Sequence, residues 1–236
     1  SLLTNSSDFY VGFAGNSNQL TVLDGGTVAD ASGYIGDGLG STANLAWLSG
    51  ARSVWTNRLD LYAGHYGARS QLVVSNAAKV FSQNGYIGYD SYSLSNLVRV
   101  TDAGSLWSNQ LSLYVGYNGG ANQLVVSNAA LVAAQNLYLG YNATATNNTV
   151  TLAGGTLRVT NYNNGAIEVR RGTLALNSGL IVVDKFRVGD MGPAGKFALN
   201  GGTLRALIAT VNNGLAFIIG DGTNAARYEM ALPGST

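Results

Sequence analysis

A 52-residue repeat, a half-period near 26 residues and three strand-like segments in each half-period predict an all-β chain wound as a three-sided parallel β-helix of about nine rungs. The repeat is clearest from Ser105 to Val132, SLWSNQLSLYVGYNGGANQLVVSNAALV. A shift of 52 residues lays it over SVWTNRLDLYAGHYGARSQLVVSNAAKV from Ser53, and a second shift reaches SLLTNSSDFYVGFAGNSNQLTVLDGGTV from Ser1. Leu3, Trp55 and Trp107 thereby become equivalent, as do Tyr10, Tyr62 and Tyr114, and Leu20, Leu72 and Leu124.

The half-period follows from tripeptides ending in glycine: YVG at Tyr10, YIG at Tyr34, YAG at Tyr62, YIG at Tyr86, YVG at Tyr114 and YLG at Tyr138, spaced alternately by 24 and 28 residues. The residue opening the next segment recurs every 26, at Ser1, Thr27, Ser53, Lys79, Ser105 and Leu131. Each such turn holds three segments of strand chemistry, for example SLW, LSLYVG and NQLVVSN, separated by Asn, Gly and Ser. Alternation puts Leu113 and Val115 on one face with Tyr114 opposite, and Leu124 and Val126 on one face with Val125 opposite. One turn cannot enclose its own apolar face. Turns stacked at about 4.8 Å bury a continuous core and pair each backbone amide with the rung above or below.

Like residues then form columns. The interior one is expected to hold Leu20, Leu45, Leu72, Leu97, Leu124 and Val150. Asn18, Asn44, Asn96, Asn122 and Asn148, with Ser70 in the one gap, are expected to form a ladder of side-chain amides. Tyr10, Tyr34, Tyr62, Tyr86, Tyr114 and Tyr138 are expected to form an outward aromatic column, which stabilises the sheet and offers a surface for sugars or a neighbouring fibre. Gly25-Gly26-Thr27, Gly154-Gly155-Thr156 and Gly201-Gly202-Thr203 supply sharp corners.

The chain reads as one domain, with the double-rung repeat over 1–160 and less regular rungs over 161–236. In the second part, Thr156, Thr173, Thr203 and Ser235 are taken as equivalent corners, giving one short rung and two long ones, with Asp190 to Gly195 as a protruding loop. A β-propeller is the rival, but 236 residues make only about four and a half blades, and the self-similar half-period has no place in one.

Composition agrees with strands and turns: 32 Gly, only two Glu (Glu168, Glu229) and three Lys (Lys79, Lys185, Lys196). Charged residues make up 11% of the chain, 13 basic against 12 acidic, so no basic face for nucleic acid or an anionic membrane can be assembled. Without cysteine there are no disulfides and no thiolate chemistry. No apolar run is long enough to span a bilayer.

The GGTL corners at Gly154 to Leu157 and Gly201 to Leu204, with the LYVG and NQLVVSNAA segments, resemble the passenger repeats of bacterial autotransporter-type surface proteins. The resemblance spans nearly the whole chain. It implies a right-handed β-helix, secreted or held at the bacterial cell surface, that displays surfaces or acts as an adhesin. The C-terminal membrane barrel of that family has no counterpart here, which points to a piece of a longer protein or to another export route. No functional residue carries over.

Chemistry is sparse. His65, the only histidine, replaces an aromatic found as Phe13 and Tyr117 in other copies, and no orienting partner for it is evident. Asp184, Lys185, Arg187 and Asp190, with Glu168, Arg170 and Arg171 about a rung earlier, are the densest charges. They read as solvated face charges, and as the candidate residues of the alternative, a carbohydrate-active β-helix acting as a polysaccharide lyase or hydrolase. Gly36-Asp37-Gly38 and Gly220-Asp221-Gly222 each offer one carboxylate, too few for calcium, so no metal or cofactor is expected. Asn5, Asn142 and Asn147 open glycosylation sequons.

The sequence therefore points to a non-enzymatic, extracellular structural repeat protein, a fibre or stalk. Its expected partners are itself, head to tail through ends that share one corner phase, or a longer parent chain, and further glycans or neighbouring fibres.

Overall fold

The computed structural model describes residues 1–190, 194–221 and 223–230. Turn after turn carries three short strands: β1 (Leu2–Thr4), β2 (Phe9–Val11), β3 (Gln19–Leu23); β4 (Thr27–Asp30), β5 (Gly33–Ile35), β6 (Leu45–Ser49); β7 (Val54–Asn57), β8 (Leu61–Ala63), β9 (Gln71–Ser75). Then follow β10 (Lys79–Ser82), β11 (Gly85–Ile87), β12 (Leu97–Val100); β13 (Leu106–Asn109), β14 (Ser112–Val115), β15 (Gln123–Ser127); β16 (Leu131–Ala134) and β17 (Asn136–Leu139). Beyond these the strands fuse around the corners as β18 (Thr149–Val159), β19 (Ala166–Val169), β20 (Gly172–Val188), β21 (Gly195–Leu199), β22 (Gly202–Val211) and β23 (Ala226–Met230).

Every pairing is parallel and joins like positions of successive turns, so the chain is an all-β solenoid of about nine turns with three faces. The first face runs from β1 through β4, β7, β10, β13 and β16 to β23, the second from β2 to the end of β22, the third from β3 to β21. No helix is present among the described residues, so none is long and apolar enough to cross a membrane.

One continuous core fills the bore. Leu20, Ala46, Leu72, Val98, Leu124, Val150 and Leu174 lie in register on the third face, and from Ala46 to Leu174 they are wholly buried. Burial of each larger aliphatic contributes roughly 1.5–3 kcal/mol. The expected interior column was right at Leu20, Leu72, Leu124 and Val150 but one residue early in alternate turns. Leu45 and Leu97 pair with glutamines on the outer face, and Ala46 and Val98 point inward.

Two other registers differ from expectation. Thr27 pairs with Leu2 on one side and Val54 on the other, so the first face advances alternately by 25 and 27 residues. Ser53 and Ser105 drop instead into the buried corner, where each hydroxyl accepts a backbone N–H from the previous turn, of Gly25 and Ala77. In the second part, Thr156 stacks on Leu180 and Thr203, whereas Thr173 belongs to the third face over Thr149. From β18 on, the first and third faces advance by 23 or 24 residues per turn as fused strands turn the corner with fewer loop residues, whereas the second face steps by 30, then 19, then 23. Ser235 lies outside the described residues, as do positions 191–193 of the expected loop from Asp190 to Gly195.

The double-rung period has a packing cause. On the first face the inward position alternates Val28, Trp55, Val80, Trp107, Val132. Each indole occupies space left by a glycine of the preceding turn, Gly33 beneath Trp55 and Gly85 beneath Trp107. Trp55 reaches past Gly33 to meet the Phe9 ring edge-on at 6.2 Å. A large residue over a missing one keeps the bore filled at constant volume, and that alternation needs two turns to repeat.

Candidate functional site: a double aromatic column on one corner

The second face carries Tyr10, Tyr34, Tyr62, Tyr86, Tyr114 and Tyr138 in strand register, pointing outward and each followed by a buried aliphatic. Their rings stack at 4.8–5.1 Å between centroids and within 2–19° of parallel. The strand spacing sets that distance, so the sheet itself enforces the stack.

Three residues on, past the glycine, a second column runs alongside. Tyr89, Tyr117 and Tyr141 stack at 5.1 Å, and His65 continues the line 5.0 Å from Tyr89. The two columns meet edge to face at 5.2–5.4 Å between neighbours such as Tyr86 and Tyr89 or Tyr114 and Tyr141, the arrangement that ring quadrupoles favour. The Y-x-G-Y motif at Tyr86, Tyr114 and Tyr138 encodes this second column.

Charged groups close the second column at both ends. His65 Nδ1 lies 2.6 Å from Asp37 Oδ1, so the histidine has an orienting carboxylate that its sequence neighbours did not reveal. At the other end the Arg170 guanidinium sits 4.3 Å over the Tyr141 ring and 5.1 Å from that of Tyr138, while donating twice to Glu168 Oε2 at 2.7 and 2.9 Å. Glu168 and then Arg187 follow Tyr138 in register on this face.

Burial, with nearby carboxylates adding to it, holds the phenols of the first column neutral. That of Tyr34 is pushed up to about 12, and those of Tyr62 and Tyr86 are raised further. Tyr62 donates to Asp60 Oδ2 at 3.2 Å. A sugar ring needs an open aromatic face, and from Tyr34 to Tyr114 both faces are covered by the rungs above and below. What the column offers a ligand is its row of hydroxyl edges.

The amide ladder lies inside the next corner. Asn44, Asn96, Asn122 and Asn148 are wholly buried, and Asn18 is exposed at the first turn. Four of the six ladder positions donate a backbone N–H to the side-chain oxygen 26 residues on: Asn18 to Asn44, Ser70 to Asn96, Asn96 to Asn122 and Asn122 to Asn148, at 2.8–2.9 Å. Side-chain amides of Asn18 and Asn96 donate to the same oxygens at 3.0 and 2.9 Å. The glycine of each Y-x-G makes room. Gly12, Gly64, Gly88 and Gly116 have φ of +77 to +81°, and a Cβ on any of them would run into the asparagine of the next turn.

Ser41 and Ser93, three residues before Asn44 and Asn96, accept those side-chain amides at 2.9 Å. Gly67 and Gly119 hold the same place in the alternate turns, where a Cβ would meet carbonyl oxygens, so no hydroxyl can sit there. Accordingly Ser70 Oγ and Asn122 Nδ2 have no hydrogen-bond partner among the described residues.

Asp184, Lys185, Arg187 and Asp190 do not form one site. Asp184 is buried rather than solvated: its Oδ2 accepts from the backbone of Asn161 at 2.7 Å and of Gly165 at 2.8 Å, closing the loop between β18 and β19. Lys185 donates to Asn164, and Asp190 accepts from Asn212. Arg187 lies 3.5 Å from Glu168 and lines a shallow cleft with Arg170 and Asp190. Asp37 is taken by His65, and Asp221 accepts from Thr223; Gly222 lies outside the described residues. No group of three metal-ligating side chains exists among the described residues.

Parallel turns with like residues in columns define a β-solenoid repeat protein. Comparison with protein-family models, curated proteins and solved structures gives no match.

Proposed function

We propose that this chain is a structural solenoid of the autotransporter passenger type, displayed outside a bacterial cell as a fibre or stalk and lengthened by end-to-end stacking of copies. The observation that carries the reading is the contact between turns itself: strand after strand pairs in parallel with its equivalent one turn away, through backbone hydrogen bonds and columns of like side chains. A second copy stacked in the same register would repeat that contact, and such a contact does not close on itself. Charges at 11% of residues put little repulsion between copies.

The aromatic corner serves first to stiffen the rod, and its hydroxyl edge is the surface for lateral or adhesive contact. The carbohydrate-active reading gains no support from Asp184, whose carboxylate is committed to a loop. Electron microscopy of the purified chain across a concentration series tests the proposal. Filaments of constant width that lengthen with concentration are expected, and discrete short rods at high concentration would refute self-stacking.

A further inference from the structure

We propose that the tyrosine column is a covalent cross-linking site, at which one-electron oxidation joins consecutive rungs through dityrosine bonds. Three features of the column support this. Six phenols stand in register with like atoms about one rung spacing apart, roughly 4.8 Å. The rings are within 2–19° of parallel with centroids 4.8–5.1 Å apart, so a radical formed on one has the phenol of the next rung stacked directly against it. Tyr62 is hydrogen-bonded to the Asp60 carboxylate, a ready acceptor for the proton that leaves when a phenol loses an electron.

The chemistry balances with a peroxide as oxidant. Two phenols each lose one electron and one proton to give two phenoxyl radicals, whose spin density lies partly on the ring carbons ortho to oxygen. Those carbons couple to form one C–C bond. The two ring hydrogens at the new bond then move to the oxygens through solvent, restoring both phenols. One hydrogen peroxide takes up the two electrons and two protons and becomes two waters.

The second column assists. Tyr89, Tyr117 and Tyr141 press edge-on against the first and can relay an oxidising equivalent into it from the surface. Tyr92 and Tyr162, 67% and 96% exposed, stand outside both stacks and are the natural competitors for an external oxidant.

The site goes beyond the fibre reading and does not rest on it, because the test uses dilute single chains. The protein is treated with a peroxidase and hydrogen peroxide, digested and mapped by mass spectrometry. Expected are intramolecular dityrosine pairs between consecutive column members, Tyr62 with Tyr86 among them. Tyr86→Phe should abolish the two pairs that contain it and leave Tyr10 with Tyr34 intact. Cross-links confined to Tyr92 and Tyr162, cross-links only between molecules, or no dityrosine at all would each overturn the proposal.

Discussion

The indole of Trp107 fills the space that Gly85, one turn earlier, leaves by having no side chain; a Cβ on Gly85 would meet Trp107, Asn109 and Leu113 together. All three are buried, so nothing can move aside cheaply. Gly85→Ala should therefore destabilise the chain by about 1–3 kcal/mol through overpacking. Adding Trp107→Leu should recover part of that loss in a double-mutant cycle, read by urea unfolding; strict additivity would mean that the two sites do not share space.

Asn96 accepts the buried backbone N–H of Ser70, so Asn96→Ala leaves an amide without a partner as well as removing packing. The expected loss is about 1–3 kcal/mol, with hydrogen exchange at the Ser70 amide accelerated more than elsewhere. Asn18→Ala, at the exposed end of the ladder, should cost well under about 1 kcal/mol, because the Asn44 oxygen keeps the Asn18 backbone donor.

Asp30 is buried, with one oxygen accepting from Trp55 Nε1 at 2.6 Å and the other without a partner among the described residues. Burial raises its pKa from 3.8 to about 6, against the opposing pull of the indole N–H. Between these values the folded chain holds more protons than the unfolded one. This contribution to stability is thus complete below about pH 4 and is lost as pH rises through about 6, on the order of 3 kcal/mol in all. Asp30→Asn should remove that slope in unfolding free energies measured from pH 4 to pH 7; an unchanged slope would assign it to other groups.

Asp184→Ala should free the loop that its carboxylate closes, at a cost of about 3 kcal/mol for two charge-assisted bonds. Exchange should quicken at the Asn161 and Gly165 amides. Asp184→Asn, which keeps an acceptor, should lose less.

Much of the architecture could be read from spacing, because a solenoid translates sequence period directly into stacking. The tyrosine positions and the amide ladder followed from counting alone. The slip at Leu45 and Leu97 arose because turn lengths alternate on two faces while the third keeps a constant 26, and the asparagines on that face carried the right phase. Asp184 reads in the sequence as a solvated charge, but it is buried. The β20 backbone bends there without a loop, so Val183 and Asp184 are both buried and the period of two breaks. The second aromatic column was present as Y-x-G-Y but was masked by Asp37 and His65 in the early turns. The pairing of tryptophan with glycine needs the register between turns, which no single strand contains.

The claim beneath all of this is that like positions lie one above another along a single axis. Thr21 stacks through Trp47, Val73, Arg99 and Val125 to Thr151, and on through Ala175 to Ala198, five and seven steps away on the outer side of the third face. Spin labels at Thr21 paired with Thr151 or Ala198, measured by pulsed electron paramagnetic resonance, should give backbone separations of about 24 and 34 Å, linear in the number of turns. Separations that fail to grow from the first pair to the second would place these positions around a ring and contradict the solenoid.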